Sequence, residues 1–174
     1  MKIARQLAAL EPMVLGRVRG LSSEDWHAAP EGRWSIAQIL HHLAMGLDEV
    51  TRKLEERRER TDLARRASPK QHLLRHLVLG GGRIPRAREA KLAIPDEKPD
   101  PELATAQFRM AVERLTHLAS TVPPDQRAAV FVRHPVLGDL NLPEWVRFFY
   151  VHNRHHAHHI DVRRRWLHRR KAGS

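Results

Sequence analysis

The sequence contains no cysteine. That absence excludes a disulfide framework, a thiolate metal site, a cysteine nucleophile and a redox-active thiol pair. Aromatic residues make up 5% of the chain, and Tyr150 is the one tyrosine. A base-stacking surface for nucleic acid is therefore poorly supplied. No stretch approaches the roughly 18 uninterrupted apolar residues of a membrane span. The opening segment is broken by Arg5, Glu11, Arg17 and Arg19, unlike a secretory leader. A cytoplasmic protein with no membrane partner is expected.

What remains is a chain of 174 residues, 41% hydrophobic and 29% charged. This is enough to bury a core and short for two full domains, so one domain over 1–174 is expected, its basic end at 163–174 free to fray. Lys and Arg total 31 against 20 acidic residues, a formal charge of +11. Such a surface favours anionic partners. Thirteen histidines make imidazole the abundant metal-binding donor.

Helical periodicity recurs in four segments. Ile3, Leu7, Leu10, Val14 and Val18 make the first stripe. Ser35, with Gln38 three residues on, reads as a capping box. It opens a second helix striped by Ile36, Leu40, Leu43, Leu47, Val50 and Leu54, fading in the charge run 55–60. Residues 68–100 read as a long connection with a short helix over 71–79. Gly80, Gly81 and Gly82 stop that helix; no Lys-Ser/Thr follows them, as a phosphate loop requires. A third helix spans about 101–121, with Leu103, Phe108, Val112, Leu115 and Leu118 on its buried side. A fourth runs from Pro143 to about Arg169, with Asn141 as its N-cap. No strand pattern is strong, and 129–133 is too short to carry a sheet. The expected fold class is all-α, a four-helix bundle with a long crossover.

The fourth helix carries His152, His155, His156, His158 and His159. At about 100° per residue, Trp145, Phe149, His152, His156, His159 and Arg163 share one stripe. The two aromatics mark it as the core side, so His152 and His156 point inward one turn apart. Such a pair can hold one divalent metal, and a third ligand from another helix leaves positions open for water or substrate. A hydrogen-bonded core pair is the simpler alternative. Asn153 follows His152, so the His-Glu-x-x-His motif of zinc proteases is absent. His41 and His42 in the second helix both qualify as the third ligand, lying on opposite sides of its stripe. Gly46, on the side of His42, would let another helix approach. Glu49 shares that face, as an acceptor for an imidazole N–H or as a surface charge.

Gly32-Arg33-Trp34-Ser35-Ile36 through His41-His42-Leu43 resembles the second-helix signature of the DinB/YfiT-like metalloenzyme superfamily. The segment from His134-Pro135 through Gly138-Asp139-Leu140, Glu144-Trp145 and His152-Asn153-Arg154-His155-His156 resembles the other half of the same site. The resemblance covers nearly the whole chain and implies a three-histidine site for zinc or nickel, with water positions open. Carried over residue by residue, it selects His42, His152 and His156 as metal ligands. His159 stands where many relatives have glutamine and is not counted; His155 is accessory. The resemblance also implies thiol-dependent S-transfer or hydrolysis, with a low-molecular-weight thiol as cofactor, and a homodimer.

The expectation is therefore a metal-dependent enzyme acting on a small-molecule substrate. With no cysteine in the chain, any thiol is external. His134 is a candidate for proton transfer, or for holding its loop together. Arg163 is a candidate for binding an anionic group, or a side chain snorkelling from the bundle end. The alternative function is a non-catalytic basic module that grips nucleic acid or another polyanion through 163–171 and 52–66.

Overall fold

The computed structural model describes residues 2–58, 66–82, 84 and 94–173. Its helices are α1 (Lys2–Leu15), α2 (Ser23–His27), α3 (Ile36–Arg58), α4 (Pro69–Arg75), α5 (Pro101–Thr121) and α6 (Leu142–Ala172). A π-helical turn, His76–Gly80, follows α4. One antiparallel hairpin, β1 (Phe131–His134) and β2 (Gly138–Asn141), precedes α6.

The four long helices form the bundle. Their principal packing partners close a ring in which α6 lies against α1 and α3, and α5 lies against the same two. Leu10, Val14, Ile36, Leu40, Leu47, Leu54, Phe108, Leu115 and Ile160 fill the shared core. Each stripe was periodic, so burying it against its two neighbours is the main force holding the helices together. None of the helices is long and apolar enough to cross a membrane among the described residues.

Local chemistry sets the helix starts. Ser35 and Gln38 form the expected reciprocal pair, Ser35 N–H to Gln38 Oε1 at 2.9 Å and Gln38 N–H to Ser35 Oγ at 3.2 Å. Asn141 and Glu144 do the same for α6. Asp100 caps α5 through Leu103 N–H. Each such cap is worth about 1 kcal/mol.

Several expectations need correction. The first helix stops at Leu15 instead of Val18, one turn after Pro12, whose ring nitrogen cannot donate to the preceding turn. The bundle's third long helix has the expected bounds, yet Leu103 is exposed and Ala104 takes the buried place. At about 100° per residue Leu103 lies well round the helix from the face of Phe108 and Leu115, whereas Ala104 lies on it. The chain does carry a sheet, small as it is. Its register pairs Phe131 with Asn141 and His134 with Gly138. Non-local bonds support it: Asp139 N–H donates to Arg66 O, Arg66 N–H to the Asp139 carboxylate, and Trp145 Nε1–H to Val132 O. Gly138 has φ +77°, and a Cβ there would press on Ala67, Gln71 and Arg66 within 3.1–3.3 Å. Both facts require glycine. The basic end does not fray; α6 stays helical to Ala172. Glu59, Arg60 and the rest of 59–65 lie outside the described residues, as does Pro85.

Asn153 on α6 is fully buried, and neither its amide nitrogen nor its oxygen has a partner among the described residues. An unsatisfied buried amide costs about 1–3 kcal/mol. Asn153→Leu, similar in size, should raise unfolding stability by roughly 1 kcal/mol, read from the urea midpoint. A lowered midpoint would show that the amide is bonded in solution.

Candidate metal centre

Helices α3 and α6 run antiparallel, as the bond from Arg163 Nε–H to Trp34 O at 2.9 Å shows at one end. This places the second turn of α3 beside the middle of α6. His42 comes from α3, His152 and His156 from α6. The Nε2 atoms of His42 and His152 are 3.4 Å apart, and those of His152 and His156 are 3.2 Å apart. One ligand atom from each ring lies within 4.8 Å of the others. His156 is buried; His42 and His152 are half-buried.

Two nitrogens bound at 2.0–2.1 Å to one tetrahedral ion stand about 3.3–3.4 Å apart. The observed spacings match, so the donor set fits a divalent cation. The protonation state fits too. Burial, then the neighbouring His42, pulls His152 well below the usual histidine range. Burial, then His152, does the same to His156. Both rings are neutral near pH 7, the form that binds metal.

The rings are held by packing. Trp34 lies 4.9 Å from His42 and stacks on His156 at 6.4 Å, centroid to centroid. Phe148 stacks on His152 at 5.3 Å. Metal-binding imidazoles commonly donate their second N–H to an acceptor that fixes the ring. Here His156 Nδ1 is buried without a hydrogen-bond partner, so its orientation rests on Trp34 and the other two rings.

The structure brings His42, and not His41, to the other two histidines. His41 Nδ1 accepts from Asp96 N–H at 3.3 Å, turned toward the segment before α5. Gly46 does not serve a close helix approach, because a Cβ there would meet nothing within 4 Å. Glu49 is an exposed charge, paired with Lys53 and Arg52.

His134 sits on the hairpin side of the three histidines, against Phe148 at 4.7 Å and Trp145 at 5.5 Å. Its Nδ1 accepts from the N–H groups of Val136 and Leu137 at 3.1 and 3.2 Å, so it does hold its loop. Burial pulls its pKa down to about 4. Arg163 lies on the other side. It is half-buried and turned inward to Trp34 O, not snorkelling outward. His159 lies between, 5.5 Å from His156 and 4.4 Å from His155. Sequence reasoning missed Phe148 as a packing partner and Trp34 as the wall of the site. Phe148 was findable, being one turn before His152.

Much of the basic end is engaged internally. Arg164 donates to the carbonyls of Arg17 and Arg19, Lys171 to Asp25, and Arg170 faces Glu24. Arg52 pairs with Glu56, Lys53 with Glu49, and Arg58 donates to Thr121; Arg60 and Arg65 lie outside the described residues.

Comparison with known proteins agrees with this geometry. The sequence model of the DinB superfamily matches residues 6–160. Among solved structures, YfiT from Bacillus subtilis aligns over 95% of this chain and 86% of its own, at 17% identity and a TM-score of 0.66. That protein is described as a probable metal-dependent hydrolase with an unusual four-helix bundle topology. Comparison with curated proteins finds no match.

The lowered histidines predict an acid-sensitive fold. His134, His152, His156 and His159 titrate below 6.5 when folded, whereas the unfolded chain takes up protons near 6.5. Their contribution is therefore complete above about pH 6.5 and is lost as pH falls toward 4, at up to roughly 1.4 kcal/mol per unit for each. Urea midpoints of metal-free protein should fall between pH 7 and pH 5. Equal midpoints would contradict the burial of these rings.

Proposed function

The chain belongs to the DinB superfamily, and we propose that it is a divalent-metal-dependent enzyme acting on a small-molecule substrate. The supporting observation is the convergence of three imidazoles at 3.2 and 3.4 Å. His42, His152 and His156 hold the ion, zinc or nickel by their all-nitrogen donor set. When bound, such an ion lowers the pKa of a water or an external thiol toward neutrality. The reaction is hydrolysis or thiol-dependent S-transfer; the description of YfiT supports the first.

The chain's own residues then have distinct parts. Three protein ligands leave the rest of the coordination sphere open to solvent or substrate. Trp34 and Phe148 hold the ligand rings from opposite sides and keep bulk water off them. His134 spends its Nδ1 on two backbone donors, so the neutral ring carries its proton on Nε2. Its part is to offer that N–H to the substrate, and it does not act as a base. Arg163 lines the other side. In this reading the chain works as one domain over 1–174 in the cytoplasm, the compartment expected from its sequence pattern, and as a homodimer, which rests on the resemblance alone.

Metal content of untagged protein tests the site. His42→Ala and His156→Ala should lose bound metal, at least tenfold in occupancy, while His41→Ala keeps it. Loss in His41→Ala with retention in His42→Ala would reverse the assignment. Ester and amide substrates, set beside thiol-plus-electrophile pairs, then separate hydrolase from transferase.

A further inference from the structure

The stripe that carries the ligands continues past them. Beyond His156 come His159 and then Arg163, two turns on and a rise of about 10 Å. Helical side chains lean toward the helix N-terminus, which brings the Arg163 guanidinium back toward the three histidines. Its Nε–H is fixed on Trp34 O, and the Trp34 ring touches His42 and His156. The hydrogen bond therefore sets the guanidinium one residue's width from the metal ligands. Both its Nη groups remain free to donate.

Arg33, next in sequence to Trp34, is exposed and adds a second positive charge at this point. Burial and then Arg33 draw the Arg163 pKa below the usual arginine range; His159 is lowered in part by both arginines. Neither arginine has a carboxylate in ion-pair range among the described residues. Several other arginines do: Arg17 takes Asp161, Arg114 takes Asp48 and Glu55, Arg109 takes Glu11. Two adjacent cations left unneutralised, one of them half-buried and oriented, cost free energy that an anion would recover. The end of α3 adds the positive pole of a 23-residue helix.

We propose that Arg163, assisted by Arg33, binds a terminal oxyanion of the substrate, a carboxylate or a phosphate, while the reacting group lies at the three histidines. This deepens the reading of those histidines as a reaction centre, and rests on it. The free Nη edge of a guanidinium matches two oxygens of either group. His159 and Trp34 line the stretch between, so the substrate's anion and its reacting atom are separated by one to two helical turns, about 5–10 Å.

The test uses metal-free, EDTA-treated protein, so that no anion can ligate an ion. Inorganic phosphate and succinate are titrated separately, following arginine Nε–H signals by NMR. Saturable binding is expected, weakened at least tenfold in Arg163→Gln and about threefold in Arg33→Gln. Arg165→Gln, an exposed site with the same charge change, should bind as the parent. Saturation by one probe alone identifies that anion. The proposal fails if neither probe saturates, or if Arg163→Gln and Arg33→Gln bind no worse than Arg165→Gln. Metal content of the parent separates the two readings. Metal bound with no arginine dependence overturns this inference alone. Arginine-dependent binding in a protein that takes up no metal overturns the reaction centre and leaves an oxyanion site.

Discussion

Three imidazoles brought nitrogen to nitrogen, at 3.4 and 3.2 Å, constrain everything around them. Their donor set is one that could hold a divalent cation. The arrangement demands that α3 and α6 be antiparallel and in fixed register, because a slip of one residue on either helix would turn its ligand by about 100°. The long crossover between α3 and α5 and the hairpin before α6 are the connections that permit this register.

The hairpin has a second effect on the centre. It is a small sheet, yet it sits where α6 begins, and its turn carries His134. Trp145 ties α6 back to β1. A chain lacking Gly138 could not close that turn against the 66–71 segment, so the backbone freedom of one residue reaches the site through two elements. From the hairpin along α6 the order is then His134 on β1, the His152 and His156 pair, half-buried His159 and oriented Arg163.

The long helices were legible because burial repeats every three or four residues, and the inward pair His152 and His156 followed from the same rule. What the pattern could not decide was His41 against His42. They flank the α3 stripe symmetrically, and only the family motif separated them. Leu103 misled because its hydrophobicity was weighed above its angle, which places it off the face of Phe108 and Leu115 while Ala104 lies on it. The hairpin was invisible because its stability comes from Arg66 and Trp145, distant contacts that no four-residue window contains. The bond from Arg163 to Trp34, 129 positions apart, was out of reach for the same reason.

The tail of α6 has a mechanical meaning. Asp25 takes Lys171 and the carbonyls of Arg17 and Arg19 take Arg164, while the hairpin anchors the opposite end. A rod clamped at both ends cannot pivot. The three histidines on or against α6 are thereby held on a strut whose two ends are both tied to other elements.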